Sequence, residues 1–126
     1  MIDKIDLNVW DRDFSLPVDF DCCEDEPILK EQTDAYERFI SKLGWIDKAK
    51  KKVEKYCKKA VKEDPENEKK DNIFSYVKPK CLFIKREEDQ PRVALLCDYR
   101  YDEEHGLAVV FAHDGKATVG SQDIIL

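Results

Sequence analysis

Nowhere among its 126 residues does this chain run apolar for the roughly 20 positions needed to span a bilayer. Its four glycines stand apart at 44, 106, 115 and 120, so there is no Gly-rich loop to cradle a phosphate, and Rossmann and P-loop chemistry drop out. Two histidines and five cysteines without a CxxC pair make a poor zinc set. Calcium fares no better. Reading Asp19 as the first position of an EF-hand loop puts Glu24 where glycine is required and Lys30 where a bidentate Glu belongs. No cofactor is implied. The opening Met1-Ile2-Asp3-Lys4-Ile5-Asp6 lacks the basic region and apolar block of a signal peptide, and the expected location is the cytoplasm. Cys22, Cys23, Cys57, Cys81 and Cys97 are odd in number, which points to reduced thiols rather than a disulfide framework.

What is present is an apolar fraction of 42% and a charged fraction of 40%, enough for one core under an ionic surface. A single α+β domain over residues 1–126 is the expectation. The net charge of −6 is unevenly spread: residues 46–62 hold eight lysines against Asp47 and Glu54, a local +6 that leaves −12 for the rest. The molecule is therefore strongly dipolar.

Two period-2 runs open the chain. Ile5, Leu7 and Val9 alternate with polar residues, then Phe14, Leu16, Val18, Phe20 and Cys22 do the same after Asp11-Arg12-Asp13. This predicts a β-hairpin over 2–22 with one buried face. Pro17 cannot donate to a ladder, which predicts an edge strand or a bulge. Helical spacing follows over 28–62: Leu29, Tyr36, Phe39, Ile40 and Leu43, then Gly44 as C-cap, then a stripe of Ile46, Ala49, Val53, Tyr56, Cys57 and Ala60 opposite the lysines. Asp64 to Asn72 is a polar loop, and Ile73 to Val77 a short helical turn. An antiparallel sheet over 80–126 takes Lys80–Arg86, Arg92–Tyr99 and Leu107–Ala112, with Asp114-Gly115 turning into Ala117–Val119. The middle strands are apolar on both faces and should lie centrally beneath the helices. Ile124-Ile125-Leu126 should pack against the body.

The run Asp102-Glu103-Glu104-His105-Gly106-Leu107-Ala108-Val109-Val110-Phe111, followed by Val119-Gly120-Ser121-Gln122-Asp123-Ile124, resembles a family of small bacterial proteins known as a domain of unknown function. A hairpin, a helical middle and a sheet ending in Gly-x-Gln-Asp-Ile is the layout that the resemblance implies. It also implies a kinship with immunity proteins, which bind toxins, and no assigned activity.

Two groups of residues can carry function. His105, with Asp98 or Asp102 to orient its imidazole, has the makings of an acid–base pair. The plainer reading is a charged turn in which Gly106 supplies positive φ and His105 bonds the backbone. Cys97 precedes Asp98 but sits in an apolar strand, where a thiol is inert. Asp19, Asp21, Glu24, Asp25 and Glu26 cluster at the hairpin end. With Asp102, Glu103 and Glu104 they would form an acidic face if the two loops converge, suited to a basic partner such as a toxin. The plainer reading is a solvated edge. The lysines of the second helix read as a solvated face, and nucleic-acid binding is not expected because Tyr56 falls on the apolar stripe. Protein binding without catalysis is the favoured function.

Overall fold

A computed structural model describes residues 4–22, 25–66 and 72–126. The elements are strands β1 (Lys4–Val9) and β2 (Arg12–Phe20), helices α1 (Lys30–Ile40) and α2 (Gly44–Glu63), a 3-10 turn at Ile73–Ser75, strands β3 (Val77–Ile84), β4 (Val93–Tyr99), β5 (Leu107–Phe111) and β6 (Ala117–Gly120), and a last 3-10 turn at Gln122–Ile124. The fold is α+β, with an N-terminal hairpin, two helices and one six-stranded sheet in sequence order. Every neighbouring pair is antiparallel except β2 and β3, which run parallel and are joined through both helices.

That parallel pair explains Pro17. β2 is not an edge strand; β1 and β6 are the edges. β2 pairs β1 from Arg12 to Pro17 and pairs β3 from Val18 to Phe20. Pro17 sits at the changeover between the two ladders, where a residue without an N–H does least harm. The hairpin turn is also tighter than the charged break suggests. Trp10 and Asp11 alone form it, both with positive φ (49° and 73°), the signature of a twisted two-residue turn. Trp10 is buried, and its indole Nε1 donates to the Ile46 carbonyl at 3.0 Å, fastening the hairpin tip to α2.

α1 lies along one row of the sheet. Phe20, Ile84, Val93 and Phe111 are register partners across β2 to β5. Tyr36 meets Phe20 (5.7 Å between centroids) and Phe39 meets Phe111 (5.1 Å). Each such ring contributes about 1.5–3 kcal/mol by leaving water. Gly44 is not a C-cap: Ser41 closes α1 in right-handed conformation and Gly44 is the first residue of α2. α2 buries Ile46, Ala49, Val53, Cys57 and Val61. It begins at the β5–β6 turn, where Gly115 (φ +92°) leaves room for the Trp45 indole. From there it passes β6 and reaches Tyr99.

β4 and β5 are central, as their sequence requires, but the helices cover one face only. The other face of the sheet exposes Phe83, Ala94, Ala108 and Val110, and Ile125 of the C-terminal turn closes over them at 1% exposure. Strands apolar on both sides need two covers, and the last residues supply the second. β3 starts three residues earlier than Lys80 because a bulge between Pro79 and Cys81 lets it continue past two exposed lysines. No helix among the described residues is long and apolar enough to cross a membrane.

Candidate functional site

The register decides which of the candidate acidic residues meet. Asp21 follows β2 and its N–H bonds the Ile84 carbonyl, at the far end of β3. Asp102 follows β4, whose last residue Tyr99 pairs Val77 at the near end of β3. Seven residues of strand separate the two ends, about 23 Å at 3.3 Å per residue. The expected convergence of the hairpin end with Asp102, Glu103 and Glu104 does not occur. A different loop joins Asp19, Asp21 and Asp25: the β3–β4 connection with Glu87, Glu88 and Asp89, whose stem is closed by Lys85 N–H to the Arg92 carbonyl. Glu24 and Cys23 lie outside the described residues.

This end of the molecule is only partly neutralised. Asp21 pairs Lys85 at 3.5 Å, Glu26 pairs Arg86 at 3.1 Å, and Glu87 pairs Arg92 at 3.1 Å. Asp19, Asp25, Glu88 and Asp89 are exposed and, among the described residues, make no ion pair. α1 continues the patch. Its outer face presents Glu31, Asp34 and Glu37 at a spacing of three, on one side of a helix, again without a cationic partner. The spacing of three between Glu31, Asp34 and Glu37 is a signal visible in the sequence.

What holds α1 at this end is Gln32, the one buried polar side chain among the described residues. Its Nε2 donates to the carbonyls of Asp21 (2.9 Å) and Ile84 (3.1 Å), and its Oε1 accepts from the Leu29 N–H (2.9 Å) at the helix start. One amide thus ties α1 to the β2–β3 junction.

At the opposite end, Asp102 and His105 do meet. The Asp102 carboxylate accepts from the His105 backbone N–H (3.2 Å) and stands 3.1 Å from Nδ1 of the ring. Asp98 is elsewhere, ion-paired to Lys80 at 3.4 Å. A cleft of about 370 Å3 opens nearby, lined by Phe74, Ser75, Tyr76, Val77, Lys78, Asp98, Tyr99, Arg100 and Glu103; His105 does not line it. Glu103 and Glu104 are exposed. Gly106 takes φ +62°, as the turn reading requires.

Cys97 is fully buried, and burial pushes its thiol far above the ordinary range, with the Asp98 charge adding to the shift. Burial likewise raises Cys57, to about 11. Both behave as small hydrophobes. Cys22 is exposed. Tyr56 is not on the buried stripe: it is 45% exposed, its ring 6.2 Å from that of Tyr99.

Comparison with known proteins returns one family. The model of a family described as a domain of unknown function (DUF6985) matches residues 2–126. No curated protein matches the chain, and no solved structure does.

Proposed function

The chain belongs to the family of that domain of unknown function, and on its own geometry we propose that it is a protein-binding module whose acidic end receives a basic partner, in the manner of an immunity-type inhibitor. The supporting observation is the run of uncompensated carboxylates formed by Asp19, Asp25, Glu31, Asp34, Glu37, Glu88 and Asp89 around one end of the sheet. Such a field speeds encounter with a cationic surface and excludes acidic ones. The scaffold beneath it is cross-tied, because Gln32 joins α1 to Asp21, just after β2, and to Ile84 at the end of β3. Asp102, Glu103 and Glu104 lie at the other end and take no part.

Affinity capture with the immobilised chain at low and moderate salt tests this reading. A basic protein should be retained at low salt and released at higher salt. Replacing Asp25, Glu31 and Asp34 by lysine should weaken its binding by about tenfold or more, chiefly through the association rate. Equal retention by wild type and the triple variant would rule the acidic end out.

A second reading rests on the Asp102–His105 contact, which orients one imidazole for acid–base work. It expects small-molecule fragments that shift the His105 ring signals by NMR and lose binding in His105→Ala. A fragment screen that leaves those signals unmoved ends that reading.

A further inference from the structure

The second uncompensated surface has the opposite sign. α2 carries Lys48, Lys50, Lys51, Lys52, Lys55, Lys58, Lys59 and Lys62, and among the described residues none stands within ion-pair distance of a carboxylate. The cationic side chains that do pair with carboxylates lie on the sheet and its loops instead. At 0.15 M salt, charges act over about 8 Å. What this face attracts is therefore set by its local excess rather than by the overall −6.

Shape and chemistry narrow the partner. Two grooves flank the ridge of α2. One of about 360 Å3 is lined by Lys52, Lys55, Tyr56 and Val119; the other, of about 460 Å3, is lined by Glu54, Lys55, Lys58, Val61, Lys62 and Tyr76, three lysines against one carboxylate. Tyr56 stands between the lysines with nearly half of its surface in solvent and Tyr99 behind it. An exposed aromatic ring set among cations along a groove suits a flexible chain that alternates negative charge with flat bases. A membrane fits less well, because the apolar stripe of α2 is spent on the core and has nothing to insert. An acidic protein would use the lysines but gain nothing particular from Tyr56.

We propose that the Lys52–Lys62 face of α2, with Tyr56 as its stacking platform, binds single-stranded nucleic acid. The face is about 15 Å long at 1.5 Å per residue, a short site at the lower end of those known for single strands. It lies apart from the acidic end, and its test does not depend on the protein partner proposed above.

The experiment is a fluorescence-anisotropy titration of the full chain with labelled 12-nucleotide oligo(U) and oligo(dT) at 50 and 200 mM salt. With about four phosphates neutralised, affinity should fall about fifty-fold between the two salts. Tyr56→Ala should weaken binding about tenfold without changing the salt slope, while Tyr56→Trp should restore it. Lys55→Glu with Lys58→Glu should abolish it. Melting curves matching the wild type would show that the variants are folded. The proposal fails if no oligonucleotide binds at 50 mM salt. It fails also if Tyr56→Ala binds as tightly as wild type and heparin competes equally, since the face would then be a polyanion sink without base contact. Binding to phosphatidylserine vesicles in place of oligonucleotide would overturn it. So would sedimentation showing self-association that the double lysine variant abolishes, which would give the face to a second copy.

Discussion

Gln32→Glu should lower the melting temperature by about 15 °C at neutral pH, and by much less in acid. The substitution keeps the shape of the side chain and its acceptor for the Leu29 N–H, but turns the donor that faces two carbonyls into an oxygen. An ionised carboxylate there meets the Asp21 and Ile84 carbonyl oxygens at full burial. Breaking a buried polar arrangement in this way costs about 4 kcal/mol. For a domain of this size each kcal/mol moves the midpoint by roughly 4 °C. The pH dependence follows from the direction of the shift. Burial raises the folded-state pKa of the new carboxyl above its unfolded value of about 4.3. Between those two values the native state holds more protons than the unfolded one, so stability falls as pH rises through that window. Below it the protonated acid can still donate one of the two lost bonds. Gln32→Leu, which removes all three bonds at once without adding charge, should cost about 3 kcal/mol with no such pH trend. Melts at pH 5 and pH 8 distinguish the two. A Gln32→Glu protein that melts like wild type at pH 8 would show that the amide is not the bolt described here.

Much of this was legible in the sequence, and the reason is periodicity. The alternation at Ile5, Leu7, Val9 and at Phe14, Leu16, Val18 does lie in strands, because a one-residue slip would invert every side chain. The helical spacing of Tyr36 and Phe39, and of Ile46, Val53 and Cys57, likewise marks buried faces. Even Gln32 left a trace: it falls three residues after Leu29 and four before Tyr36, on the apolar stripe, where a polar residue needs a reason. Tyr56 misled because it borders the stripe beside Cys57, and an angular step of one residue separates core from solvent.

The arrangement of the sites was not legible, because it depends on pairings between distant segments. Nothing local says that β2 leaves β1 after Pro17 and joins β3 in parallel. Yet that pairing places Asp19 and Asp21 beside the β3–β4 loop and some 23 Å from Asp102. The acidic face therefore has different members from those the charge runs suggested, with α1 supplying Glu31, Asp34 and Glu37 in place of Glu103 and Glu104. The lysines read as a uniform solvated stripe because sequence shows charge and not its pairing. Only the structure separates Asp21, Glu26 and Glu87, which have ionic partners, from the α2 lysines, which among the described residues pair with no carboxylate, although Lys52 Nζ donates to the Ala117 carbonyl at 2.8 Å.

Gly106→Ala should be the most damaging single change at the other end, with a loss of about 3 kcal/mol. Two costs combine. An L-residue at φ +62° gives up roughly 1 kcal/mol, and a Cβ built there would stand 2.5 Å from Gln122 Nε2 and 2.9 Å from the Cys97 carbonyl. The Gln122 side chain must withdraw, and with it goes its 3.1 Å bond to that carbonyl. The consequence reaches further than the turn. Gln122 N–H bonds the His105 carbonyl, and the 3-10 turn that follows delivers Ile125 onto Phe83, Ala94, Ala108 and Val110. The stretch His105-Gly106 and the Gly120-Ser121-Gln122-Asp123-Ile124 ending, which stood out in the sequence, are thus two halves of one clasp that closes the second face of the sheet. This clasp gives the turn a structural reason that is independent of any chemistry at His105. Hydrogen exchange in Gly106→Ala should show residues 121–126 losing protection before the helices do. Adding Gln122→Ala should cost less in that background than in the wild type, because the side chain has already been displaced and its bond to the Cys97 carbonyl is already lost. Strict additivity of the two substitutions would mean that Gly106 and Gln122 do not act through one another, and that the clasp is held by Ile125 alone.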